Sequence, residues 1–402
     1  MLYEFWHNFT HNLFKPLLLF FYFGFLMPIL KVRFEFPHVI YQGLTIYLLL
    51  AIGWRGGEEL AAIKPANIGG IAGFMVVGFL LNFVIGALAY FMLSWLSTIR
   101  RIDRAMVAGY YGSDSAGTFA TCVAILASMG IAFNPYMPVM LAVMEIPGCL
   151  VALYLVARLR NRGMDAAGNM PDEPGYTPRG TVRTGPGTAT RPVYGQSLES
   201  EHELTIPVKR PPYPEWKLPN QAHANRRVPK VAPLKDVLLN PGLCLLLGAI
   251  VVGFISGLQG QEVIHDQDTF FVSAFQGALC LFLLEMGMTA SRKLKDLRSA
   301  GFGFIFFGLL APNVFAALGI FVAHGYAFLT NTEFKSGTYV LFAVLCGAAS
   351  YIAVPAVQRL AIPEASPTLP LAASLGLTFS YNVTIGIPLY VEMAHLASWW
   401  GL

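Results

Sequence analysis

Two clusters of small residues interrupt otherwise apolar stretches: Gly112-Ser113-Asp114-Ser115-Ala116-Gly117-Thr118 and Gly347-Ala348-Ala349-Ser350-Tyr351. Gly, Ser and Asp weaken a helix and small side chains let backbones approach, so each cluster is a place for a membrane helix to part into two halves. N–H groups freed at the positive end of a half-helix attract an anion. Backbone donors, helped by Ser and Thr hydroxyls, replace the hydration of a small anion without any fixed cationic side chain. On this ground Gly112, Ser113, Ser115, Gly117, Thr118, Gly347, Ala348, Ala349, Ser350 and Tyr351 are the candidate substrate-binding residues. The competing use of the same residues is close helix packing through small-xxx-small contacts.

Asp114 is the aspartate set deepest in an apolar run, and a buried carboxylate is costly unless it has a task. Three tasks fit: oxygen ligand for a hard cation such as Na+, proton carrier, or N-cap of the second half-helix. The candidate ion-binding set is Asp114, Ser115, Ser350 and Asn382, the last offering a carbonyl oxygen or, alternatively, an interhelical hydrogen bond. Glu145, in Met-Glu-Ile-Pro, divides between a substrate pathway and interhelical hydrogen bonding. Glu285 reads as a satisfied carboxylate near a helix end, and Arg55-Gly56-Gly57-Glu58-Glu59 as a solvated segment whose glycines could hinge.

The elements that must hold these residues follow from composition. Of 402 residues, 55% are hydrophobic and only 12% charged, against about 25% charged in a soluble domain. A helix needs about 20 apolar residues to cross the hydrocarbon core. Ten runs qualify: 13–32, 38–54, 68–95, 105–129, 136–157, 237–258, 269–289, 300–328, 337–360 and 369–395. The first has Lys15 near its start and no small-residue cleavage signature, so it is read as a span and not as a signal peptide. The expected fold is therefore an all-α integral membrane protein of ten transmembrane helices, the fourth and ninth discontinuous.

Alternating the loops across the bilayer gathers 23 of the 27 Lys and Arg on one side; short loops alone divide 10 to 4. Such asymmetry marks the cytoplasmic side, which places both termini outside the cytoplasm. Residues 158–236 carry twelve prolines and little apolar periodicity, the signature of a disordered linker. They separate residues 1–157 from 237–402, five spans each, and halves with an odd number of spans enter the membrane in opposite orientations. Weak internal similarity agrees: Gly56-Gly57 precedes Met286-Gly287-Met288 by about 231 positions, and the two small-residue clusters lie about 233 apart, as a duplication would leave them. The expectation is a five-plus-five inverted-topology repeat.

Enzyme chemistry lacks its parts. No second aspartate lies at depth for an intramembrane protease, and neither an HExxH motif nor a Walker A loop occurs. His324 and His395 are isolated near span ends. Cys122, Cys149, Cys244, Cys280 and Cys346 lack CxxC spacing and read as packing thiols, with neither a metal nor a disulfide role. No catalytic residue, cofactor or nucleic-acid partner is expected.

Four segments together, Ile52-Gly53-Trp54-Arg55-Gly56-Gly57, the Gly112–Thr118 cluster, Met286-Gly287-Met288 and Ala361-Ile362-Pro363-Glu364-Ala365-Ser366-Pro367, resemble the sodium-dependent bicarbonate transporter family known from cyanobacteria. The resemblance covers both halves and skips the long loop. It implies Na+-coupled symport of bicarbonate across the plasma membrane by alternating access, a fold related to bile-acid and sodium/proton carriers, a homotrimer, and a PII-like regulator on the cytoplasmic face. Ser115, Thr118 and Ser350 match hydroxyl positions of the pattern. One departure stands out: where the family has a serine run and then an aspartate, this chain has Ala348, Ala349, Ser350 and Tyr351, whereas Asp114 replaces a small apolar residue. Two other functions suit the same architecture, a sodium/proton exchanger titrating Asp114 and a membrane sensor whose loop binds a regulator.

Overall fold

The computed structural model describes residues 14–177 and 241–399, except 64–67, 261–264, 266, 295–296, 298–299, 353, 356–357, 359–360 and 367. The described residues are helical, with no strand among them. In chain order the first half holds α1 (Pro16–Ile29), α2 (His38–Ala61), α3 (Ile68–Leu96), α4 (Arg101–Tyr111), α5 (Ala116–Ser128), α6 (Met137–Met144) and α7 (Ile146–Asn161). The second half holds α8 (Pro241–Gln259), α9 (Phe275–Lys293), α10 (Phe302–Thr330), α11 (Ser336–Gly347) and α12 (Ile387–Trp399), the last preceded by π-helical turns at Ala372–Phe379 and Asn382–Gly386. Five helical stretches among the described residues are long and apolar enough to cross a bilayer. α4, α5 and α11 fall short in length because they are halves, and α2 falls short in hydropathy with Arg55, Glu58 and Glu59 in its last turns.

Apolar side chains such as Val76, Leu80, Phe91, Val252, Phe306 and Phe321 point outward. Exposure of this kind suits a lipid solvent, and the intrahelical bonds satisfy the backbone there. Two bundles result. One packs α8 along α2 and α9 along α1; the other gathers α3, α4, α7, α10, α11 and α12. Glycines set the first bundle's close contacts, and they do so reciprocally. An added Cβ at Gly57 would strike the carbonyl of Ile250, and one at Gly253 that of Trp54; at Gly287 it would strike Phe21, and at Gly24 Leu284. Each carbonyl struck lies three residues before the partner glycine, so the α2–α8 and α1–α9 contacts are the same contact made twice.

The first twenty residues of the linker expected over 158–236 are described, and they are structured. α7 runs on to Asn161, and residues 162–177 pack against the ends of the spans, with Met164, Asp165, Asn169 and Met170 buried. Asp165 organises this brace: Oδ1 accepts from the N–H of Ala167 (2.9 Å) and Asn169 (2.8 Å), and Oδ2 from Thr177 N–H (2.8 Å). Glu173 accepts from the N–H of Arg101 at 2.8 Å, and Arg101 also pairs with Asp172. Local polar closure replaces an apolar core, which a periodicity argument does not register. The remainder of that segment, 178–236, lies outside the described residues.

Cys122, Cys149 and Cys346 are buried, and none of the five cysteines, all among the described residues, forms a disulfide. Cys244 departs from the packing role, being exposed on the outer side of α8.

Candidate functional site

α4 stops at Tyr111 because the next four residues cannot continue it. Gly112 is wedged against α3, where an added Cβ would lie 3.0 Å from Gly86 Cα and 3.1 Å from the Asn82 carbonyl. Ser115 then adopts an extended conformation, φ −137° and ψ 111°, and its Oγ accepts from Thr118 N–H at 3.2 Å and from Thr118 Oγ1 at 2.9 Å. This is an N-cap. The capping role weighed for Asp114 therefore falls to Ser115, one residue on. Asp114 is left fully buried with neither carboxylate oxygen bonded to a described residue.

The second cluster repeats the device. α11 ends at Gly347, Ala348 is extended, and Ser350 Oγ accepts from Val354 N–H at 3.4 Å at the start of the following half-helix. Val354, Pro355, Gln358 and Ala361 belong to that half-helix. Gly112 and Ser115 correspond to Gly347 and Ser350 at one shared offset. The breaks cross, and a backbone hydrogen bond of 2.8 Å from Ser350 N–H to the Tyr110 carbonyl ties them together. Their outer ends are also joined, since Asn134 Oδ1 accepts from Lys335 N–H at 3.0 Å and from Thr338 Oγ1 at 2.6 Å.

Between the breaks lies a small cavity lined by Ser115, Glu145, Ser350 and Tyr351, closed on the side of the other bundle by Leu49 and Gly242. Among the described residues no Lys, Arg or His lines it. Tyr351 stacks edge-on against Phe379 (5.2 Å) and its hydroxyl lies over Gly117, where a Cβ would collide with it. Glu145 arrives because Pro147, lacking an N–H, kinks this span between α6 and α7. The displaced carbonyls find other donors: Asn82 Nδ2 bonds Met144 O at 2.6 Å and Ser113 Oγ bonds Glu145 O at 2.8 Å.

The crossing thus brings Ser115, Gly117, Ser350 and Tyr351 together, with Thr118 one bond behind and Gly112, Gly347, Ala348 and Ala349 forming the breaks. Two candidates are committed elsewhere. Ser113 holds the kink, while Asn382 is used on both sides, its Nδ2 on the Gly347 carbonyl (2.9 Å) and its Oδ1 on Tyr390 Oη (2.7 Å). The interhelical alternative for Asn382 is the one observed. Glu145, left outside the candidate set, lines the cavity; Pro147 two residues on was its sequence signal. Leu49 and Gly242 had none, being ordinary apolar-run residues brought in by packing. Glu285 bonds Thr289 through Oε1 at 2.8 Å, but its buried Oε2 has no described partner, so the carboxylate is half satisfied.

Discontinuous helices that cross inside a polytopic membrane protein, with capped N-termini facing a small cavity, define a secondary carrier. The match to known families is specific: residues 16–395 fit the family model of the Na+-dependent bicarbonate transporter superfamily, and the chain belongs to that superfamily. It is a transporter family and no class of enzyme, and Na+ is its coupling ion. No curated protein matches the sequence.

Proposed function

We propose that this chain carries bicarbonate inward with Na+ by alternating access, on a ten-span, five-plus-five inverted repeat in the plasma membrane with both termini outside. The observation that carries the reading is the crossing of two broken helices at Ser115 and Ser350. Positive ends of the half-helices converge there on a cavity free of cationic side chains, which suits a monovalent oxyanion held by N–H and O–H donors. Asp114, buried with both oxygens unengaged, is the natural ligand for the cation, and carbonyls at the C-terminal ends of α4 and α11 present negative dipole ends beside it. The reciprocal glycine contacts of α1–α9 and α2–α8 support the repeat. The family resemblance supports a PII-like regulator, for which the brace at 162–177 would lie on the cytoplasmic face, and a homotrimer.

The test is uptake of labelled bicarbonate into proteoliposomes with and without an inward Na+ gradient. Uptake should follow the gradient and stop when choline replaces Na+. Sodium movement driven by a proton gradient, with no bicarbonate flux, would favour the exchanger instead.

A further inference from the structure

We infer that Glu145 is the charge gate of the anion cavity: its carboxylate keeps the anion out until a cation has been taken up between Glu145 and Asp114. The inference rests on the symport reading and names the residue that makes the coupling obligatory. Glu145 lines the same cavity as Ser115 and Ser350, whereas Asp114, in the adjoining break, is fully buried and opens to no solvent. Ser113 Oγ donates to the Glu145 carbonyl at 2.8 Å, so the break that carries Asp114 lies directly against the kink that carries Glu145. A cation between them would meet one carboxylate from each of two independently broken spans.

Glu145 and Asp114 differ in what they face, and this gives them different tasks. An anion on the Ser115 and Ser350 caps has Glu145 as its neighbour across the cavity, and no Lys, Arg or His in the lining offsets that charge. Like charges about 5 Å apart at an effective dielectric near 20 weaken binding by roughly a hundredfold or more. A cation held by the pair reverses the sign of that effect. Cation binding then becomes the condition for anion binding, which is what a symporter needs in order not to leak. Asp114 contributes to cation affinity alone, since it is not among the residues that line the cavity.

The test compares Glu145→Gln with Asp114→Asn in the full-length protein, using sodium bicarbonate and choline bicarbonate as probes. Thermal shift of the purified carrier reads binding, and proteoliposome uptake reads flux. In wild type, bicarbonate should shift the melting temperature only when Na+ is present. Glu145→Gln should bind bicarbonate in choline and admit it down its own gradient without Na+, while the Na+ concentration for half-maximal uptake rises about tenfold. Asp114→Asn should raise the Na+ requirement and still refuse bicarbonate in choline. Glu145→Asp, which keeps the charge, should also refuse it. Should Gln disturb the kink, Glu145→Met removes the same charge with an apolar side chain suited to the span. Glu145 variants that keep the wild-type Na+ requirement and show no binding in choline overturn the gate and leave symport standing; a wild type that moves no bicarbonate with Na+ overturns the symport reading itself.

Discussion

Asp114 concentrates the residue-scale question, because a carboxylate that is fully buried and bonded to no described group costs several kcal/mol unless a cation or proton joins it. As a Na+ ligand, Asp114→Asn keeps an oxygen and removes the charge, so the Na+ requirement should rise at least tenfold while bicarbonate is still carried at high Na+. As a proton carrier, the same change should abolish proton-coupled Na+ movement at every Na+ concentration. Uptake against Na+ concentration separates the two. Asp165 tests a different kind of acid, outside the membrane. Burial pushes its carboxyl up, but the N–H groups of Thr177, Asn169 and Ala167 outweigh that and hold it below the usual carboxylate range. A depressed value means the brace gains stability above the unfolded pKa near ~3.9 and loses it as pH falls through the folded one. Amide exchange over 164–177 should therefore stay slow from neutral pH down to about 4 and quicken below it. Asp165→Ala, which strands those donors, should quicken it at neutral pH by about 1–3 kcal/mol of local stability.

At the scale of elements, the breaks carry the function and the glycines carry the packing. The contacts at Gly57 and Gly287 are backbone against backbone, so a side chain there has nowhere to go. Gly57→Val and Gly287→Val should each destabilise the α2–α8 or α1–α9 pair by about 1–3 kcal/mol or more, as overpacking does, and by similar amounts because the contacts are counterparts. Gly248→Val on α8, with open space around it, should leave the melting temperature in detergent within a degree or two of wild type. The breaks at Gly112–Ser115 and Gly347–Ser350 were legible beforehand since clusters of small residues interrupt the apolar runs there and recur at a fixed spacing. The kink at Glu145 was written in Pro147, yet a proline in a membrane span says only that the helix bends, not toward what. The π-helical turns at Ala372–Phe379 had no such marker, because an extra residue per turn arises from packing against α9 and α10. Likewise the brace at 162–177 closes on carboxylate-to-amide bonds between residues several positions apart, which neither apolar periodicity nor proline content reveals.

For the whole molecule, the consequential feature is that the cavity lies on a seam. Ser115 and Ser350 belong to the bundle of crossed helices, whereas Leu49 and Gly242 belong to the bundle built of α1, α2, α8 and α9. The crossed helices are held as a unit by the Ser350–Tyr110 bond, the Asn134 clasp at one end and the Arg160–Glu364 pair (2.8 Å) at the other. The other bundle is held as a unit by its reciprocal glycine contacts. The proposed alternating access requires the two units to move past each other along this seam, where Leu49 and Ile352 line the same cavity from its two sides. Joining them should stop the cycle without emptying the site. In a background lacking the five native cysteines, Leu49→Cys with Ile352→Cys should cross-link under mild oxidation, abolish bicarbonate uptake, retain a Na+-dependent thermal shift on adding bicarbonate, and recover uptake on reduction. A control pair inside one unit, Asn134→Cys with Thr338→Cys, should cross-link with uptake largely kept. Full uptake by the cross-linked Leu49/Ile352 pair would mean that the seam does not move and that the anion passes by some route within a single bundle.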